Sequence, residues 1–336
     1  EKFLKKERYM EYIVTRVQAR YKNYYEIKED TNIFETKTYF DKKARGSMLT
    51  VHSRRFYMYA HLYSGCVHDE RGEYEKALSD YKTAFSMAES MNDSTYMWRI
   101  NNYIGNVFSE KTYWKEAFKT YMKSLVSAKT EFEKARSHAI LASHYCIKDN
   151  KDSSLFYIKK AIDMAEMSED EKTQSQIYQN AYVICKENGE TELAWEYLNM
   201  SASINNDTSK ENLYNLNFLT FYLESGRLDS ASVYVNKLRS NLETIKDNLL
   251  KSSICGTLTT YYSAKEIYDS ALYYQKELTY IIDAINKENI EHNIYEIQKK
   301  YDYELQRNVY QRKLNRRLVV IIIVLCAVIV IYIIVR

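Results

Sequence analysis

A small residue returns along this chain at regular intervals: Ala77, Ala117, Ser154, Ala194, Ala231 and Ala271 are separated by 40, 37, 40, 37 and 40 positions. A step that regular means a repeat array, in which each unit stacks on its neighbours. The stretch GEYEKALSDYKTAFSMAE (72–89) shows what repeats. Tyr74, Ala77, Tyr81 and Ala84 follow at steps of three, four and three, which puts them on one stripe of an α-helix. Shifted by forty, YWKEAFKTYMKSLVSAK places Trp114, Ala117, Tyr121 and Ser124 on the same stripe, and upstream Gly105 falls under Gly65. Each unit therefore reads as a first helix, a tight turn and a second helix bearing the small residue.

Composition agrees with an almost all-helical chain. There is no Pro among 336 residues, so the strongest helix breaker is missing, and 34 Tyr suit helix-on-helix packing with the ring buried and the hydroxyl at water. Lys and Arg number 48 against 45 Asp and Glu, with the excess near the C-terminus. A nucleic-acid partner would need a basic stripe on the folded part, and the repeats carry none. Cys66, Cys146, Cys185, Cys255 and Cys326 lie at least 39 positions apart, which excludes CxxC and metal-knuckle spacing. They read as small buried hydrophobes.

Four regions follow along the chain. Residues 1–47 hold a polar-faced helix over 2–27 and a weaker one over 33–43, neither in register with the repeats. The repeats run from 48 to 286, about six of them, with Gly72, Gly189 and Gly226 at turns where a positive φ comes easily to Gly. Linkers such as SMNDST (90–95) and NNDTS (205–209) supply turn formers and N-caps. Residues 287–317 form a helical stalk whose Ile290, Ile294, Ile297, Tyr301 and Leu305 make a short coiled-coil seam. That seam would suit a homodimer, or a single helix packed on the last repeat. Finally LVVIIIVLCAVIVIYIIV, residues 318–335, runs 18 positions without a charge, enough for roughly 27 Å of transmembrane helix.

The motifs quoted above resemble the tetratricopeptide repeat, a helix-turn-helix unit of about 34 residues. The first repeat matches with Gly65, Gly72, Tyr74, Ala77, Tyr81 and Ala84, and the second with Ile104, Gly105, Phe108, Trp114, Ala117 and Tyr121. The third is a fair match, and the last three keep mainly Ala194, Ala231 and Ala271 with Tyr222 and Tyr262. The resemblance implies an all-α, right-handed superhelix, an α-solenoid, whose first helices line a concave groove for a protein or peptide ligand. In the family's register Tyr59, Leu62, Tyr63, Cys66, Arg99, Asn102, Asn106, Arg136 and Ser143 face that groove. Asn suits a peptide backbone because its amide donates and accepts together, and Arg can hold a carboxylate at two points.

The order of repeats, stalk and apolar span is also similar to membrane-anchored tetratricopeptide regulators and sensor kinases of the Bacteroidetes type. That likeness implies a sensing or scaffolding half of a signalling protein. It places a single-pass protein in a bacterial inner membrane, with the lipid bilayer around the span and the repeats in the periplasm. The cations Arg307, Arg312, Lys313, Arg316 and Arg317 ahead of the span argue the other way, for a tail-anchored cytoplasmic adaptor. No catalytic constellation, phosphate loop or cofactor motif appears, so the chain reads as a non-enzyme without cofactors. The nearest approach to a metal site, His61, Cys66 and His68, spaces its histidines two helical turns apart, roughly 10 Å, and reads as packing.

Overall fold

The computed structural model describes residues 2–23, 25–46 and 49–287. Their regular elements are helices, and no strand occurs among the described residues. The chain divides into two compact units, residues 1–208 and 209–336. In the first unit α1 (Lys2–Lys22) and α2 (Asn32–Gly46) precede four helical hairpins. These are α3 (Val51–Glu70) with α4 (Tyr74–Ser90), and α5 (Ser94–Glu110) with α6 (Trp114–Ser127). Next come α7 (Glu131–Ile147) with α8 (Lys151–Met167), and α9 (Glu171–Glu187) with α10 (Thr191–Ser203). The second unit pairs α11 (Glu211–Glu224) with α12 (Leu228–Asn241), and α13 (Asn248–Ala264) with α14, residues 268–287.

The small residue sits where each second helix crosses its partner. Ala77, Ala117, Ser154 and Ala231 are fully buried, Ala194 is 1% exposed and Ala271 7%. On the first helix the matching positions are Gly65 and Gly105. A methyl group at Gly65 would stand 2.5 Å from the Tyr81 ring, and one at Gly105 would collide with Tyr121. The rings thus occupy volume that the glycines leave open.

The turn between the two helices is the same object six times. A residue with positive φ falls at Gly72, Thr112, Asp149, Gly189, Gly226 and Glu266, on the 40/37 period. After it the chain closes a six-residue bond back to the first helix, as from Glu73 N to His68 O (2.8 Å) and from Tyr113 N to Phe108 O (2.8 Å). This is the Schellman arrangement, which satisfies carbonyls left over at a helix end. Most first helices, α11 excepted, begin on side-chain caps: Asp93 on Tyr96 N, Asp170 on Thr173 N, and a reciprocal Thr130–Glu133 capping box.

Later hairpins add stacked tyrosines one turn from the crossing. Tyr145 and Tyr157 lie 5.4 Å apart at 9°, and Tyr262 and Tyr274 lie 5.6 Å apart at 7°. At the N-terminus α1 is less polar than its sequence suggests. It ends at Lys22 and buries Met10, Ile13, Val14 and Val17 in one core with Ile33 and Phe40 of α2 and Met58, Leu62 and Tyr63 of α3.

The expected placement as a single-pass inner-membrane protein with periplasmic repeats needs correction. Among the described residues no helix is long and apolar enough to cross a membrane. The cause is the one-sided burial just described, which leaves charged faces on every hairpin. The stalk over 288–317 and the apolar run over 318–335 lie outside the described residues.

Two substitutions test this geometry in the full chain. Gly65→Ala should destabilise by about 1–3 kcal/mol, because Tyr81 has no room to yield. Gly256→Ala, whose added methyl meets Leu278 at an ordinary 3.7 Å, should stabilise by about 0.5–1 kcal/mol. Urea midpoints decide both, and equal effects would mean the Tyr81 contact does not limit packing. Thr112 holds φ at 59°, a conformation poorly suited to a β-branched side chain. Thr112→Gly should therefore raise stability by about 0.5–1 kcal/mol on the same measurement.

Candidate functional site

In the first unit α1 lies against α3, and among the first helices α5 adjoins α7 and α7 adjoins α9, while α3 meets α5 through the Tyr59 and Tyr96 rings. Their shared face carries the residues that the family register pointed to. Tyr59 is half-buried with its ring 5.1 Å from Tyr96. Tyr63 is only 1% exposed, and Leu62 and Cys66 are equally closed off. The reason is α1, whose Tyr21 packs edge-on against Tyr63 (6.1 Å) and Tyr103 (5.9 Å). These three positions are therefore supports rather than contacts for an incoming chain.

Arg99 on α5 remains accessible. Its guanidinium carbon lies 5.2 Å over the Tyr96 ring. One turn further Asn102 is 7% exposed, and its Oδ1 is buried without a hydrogen-bond partner. Asn106 is exposed and accepts from the Tyr121 hydroxyl at 2.9 Å. Arg136 on α7 is exposed, with its guanidinium 5.7 Å from the Phe132 ring, and Ser143 is exposed two turns along. The structure thus gathers Tyr59, Arg99 and Asn102 with Tyr63 beneath them. It leaves Arg136 and Ser143 on the neighbouring helix.

The face is electrically divided. Lys22, Arg99 and Arg136 belong to its basic end, and none of them has a carboxylate within ion-pair distance among the described residues. Burial and the charge of Arg99 hold the Lys22 amine below its ordinary value. At the far end of α3, Asp69 accepts from the Tyr81 hydroxyl at 3.1 Å. Burial, with Glu110 beside it, pushes that carboxyl up to about 6.

A buried ionic network also occupies the first hairpin, and the sequence reading missed it. Asp80 of α4 accepts from Lys37 of α2 (2.9 Å), His61 (3.0 Å) and Ser64 (2.6 Å) of α3. His68 meets Glu73 at 2.6 Å and lies 3.8 Å from Asp80, with the Phe34 ring stacked on it at 4.3 Å. Burial would raise the Asp80 carboxyl, but the donors from His61, Ser64 and Lys37 outweigh it and leave the value lowered. The two histidines that read as packing residues are thus carboxylate partners. The available signal was Asp80 itself, an acid on the apolar stripe one residue before Tyr81.

Comparison with solved structures fixes the architecture. The chain is similar to apo RapI, at 15% identity and a TM-score of 0.59, over 76% of this chain and 70% of that one. It is similar to BtubC (BKLC) from P. vanneervenii, at 14% identity and 0.56, over 63% and 92%. A third likeness is to a tetratricopeptide repeat protein from Parabacteroides merdae, at 11% identity and 0.53, over 81% and 93%. No protein-family model and no curated protein matches the sequence. The molecule is an α-solenoid of helical hairpins. More narrowly, its fold is that of the tetratricopeptide repeat.

Three histidines give the fold a pH dependence. Burial lowers His68, His138 and His144 below the ordinary 6.5. The unfolded chain then binds protons first, so the stability these groups lend is complete above that value and is lost as pH falls through it. Asp69 acts oppositely, its contribution being lost as pH rises through about 6. His144 sits among Trp114, Phe118, Tyr121 and Tyr145 with an unpartnered Nδ1. His144→Phe should therefore flatten the fall in melting temperature between about pH 7.5 and 5.5 relative to wild type. An unchanged slope would show that His144 titrates normally in the fold.

Proposed function

We propose that the first-helix face of unit 1 binds an extended peptide segment of a protein partner, with α5 at its centre. One observation carries the reading: the Asn102 amide is nine-tenths buried, yet its Oδ1 has no partner. A buried acceptor left unsatisfied is unfavourable by about 1–3 kcal/mol, and a main-chain N–H from a ligand would remove that penalty. Repeat solenoids offer this kind of extended surface, and the tetratricopeptide fold supports a protein-interaction module. The layout resemblance adds a finer reading, the sensing or scaffolding half of a bacterial signalling or transcription-regulating protein. In that role a partner would act by binding one arrangement of the array better than another.

The expected contacts differ from a plain reading of the register. Asn102 should matter more than Asn106, because Tyr121 already occupies the Asn106 oxygen. For a peptide selected on the full-length protein from a random display library, Asn102→Ala should weaken binding by about 5- to 150-fold, equivalent to 1–3 kcal/mol. Asn106→Ala should weaken it less, and both variants should melt within a few degrees of wild type. Isothermal titration decides this. Selected peptides that bind Asn102→Ala as tightly as wild type would move the site off α5.

A further inference from the structure

The last hairpin joint, in the second unit, departs from the plan of the others. Counted from the small residue of each second helix, Arg239 of α12 corresponds to Phe85, Leu125, Ile162 and Ala202 in the four hairpins before it. Phe85, Leu125 and Ile162 pack into the hydrophobic core. Arg239 is exposed instead, and it lines a cleft of about 600 Å³. One wall is the end of α12 and the Leu242–Thr244 turn, with Arg239, Leu242 and Glu243. The other is the start of α14, with Asp269, Tyr273 and Tyr274. Tyr274 is buried, whereas Tyr273, set edge-on to it at 5.0 Å, is exposed. Neither Arg239, Glu243 nor Asp269 has an ion-pair partner among the described residues, and the nearby Lys265 is already held by Asp229 at 2.8 Å.

We infer that this cleft binds a small zwitterion of the amino-acid type, its carboxylate on Arg239 and its amine between Asp269 and Glu243. A guanidinium presents paired N–H donors that match the two oxygens of a carboxylate. An ammonium has three donors and no acceptor, so two carboxylates suit it, and the face of an open ring such as Tyr273 attracts it as well. Leu242 and Tyr274 form an apolar base, which strengthens both ion pairs by keeping water from one side. The volume lies within the roughly 300–1,000 Å³ of small-ligand sites, room for one amino acid or a dipeptide. A purely anionic ligand would meet two carboxylates across from one guanidinium. A purely cationic one would be opposed by Arg239. The inference concerns the second unit alone and is independent of the peptide-binding reading.

The test uses the full chain and ligand-observed NMR with the twenty free amino acids and their glycyl dipeptides. At least one compound should bind with a Kd below about 1 mM, and the set that responds tells a single residue from a dipeptide. The best binder is then offered with its amine acetylated or its carboxylate amidated, and each blocked form should bind wild type about tenfold more weakly. Arg239→Gln should weaken the free ligand by about tenfold yet leave the amide at its wild-type affinity. Asp269→Asn should weaken the free ligand and leave the acetylated form unchanged. Those unchanged affinities also show that each variant keeps its fold. Arg239→Leu, matching Leu125 of the second hairpin, should abolish binding and melt no lower than wild type. Asp229→Asn, outside the cleft, should bind like wild type. Absence of binding by every compound would overturn the inference. Blocked forms that bind as tightly as the free ligand, or full affinity in both Arg239→Gln and Asp269→Asn, would overturn it too.

Discussion

The closeness of the two helices in each hairpin governs the rest of the structure. A helix pair can approach this nearly only where one side chain is absent and the opposite one fills the gap, because protein interiors tolerate neither overlap nor void. Gly65 faces Tyr81 and Gly105 faces Tyr121. In the third hairpin the same two positions hold Ala142 and Ile158, in one core. In the fifth they hold Leu219 and Val235, again in one core. Across the first three hairpins the first partner grows as the second shrinks, whereas the fourth buries two large side chains, Tyr182 and Leu198, at these positions. The spacing therefore rests on the small residue of the second helix, which stays Ala or Ser in all six hairpins.

The period was readable because it is written in the residues least free to vary. The small side chain of the second helix cannot enlarge without separating the pair, so it survives as Ala or Ser. The left-handed turn was only half visible. Gly marks it at 72, 189 and 226, whereas Thr112, Asp149 and Glu266 adopt the same conformation with no compositional sign. There the helix-closing bonds outweigh local preference, and a tertiary requirement hides inside an ordinary residue.

The candidate site was legible in outline and misjudged in depth. Register puts positions of the first helices on one face, but register alone does not say what lies against them. α1 has no Gly turn, no small residue on the period and a weak stripe, so nothing in its sequence announced that Tyr21 would close over Tyr63. The uncovered part of the face begins at α5 as a result. Its chemistry comes from what is missing beside Asn102, a donor for its Oδ1. Missing partners leave no trace in a one-dimensional pattern.

The buried ions of the first hairpin bear on how such a chain finds its own order. Hairpins built to one plan expose similar docking faces, and a nascent array can join units that are not neighbours. His68 and Asp80 occupy the two positions where the third hairpin stacks Tyr145 on Tyr157 and the sixth stacks Tyr262 on Tyr274. The amine of Lys37 on α2 reaches Asp80, and no other hairpin offers a carboxylate there: the equivalent residues are Thr120, Tyr157, Tyr197, Tyr234 and Tyr274. Docking α2 against a wrong hairpin would bury Lys37 against a hydroxyl or an aromatic ring, a heavily disfavoured pairing. The network is thus an address that occurs once along the array: only the first hairpin matches the charge that α2 brings.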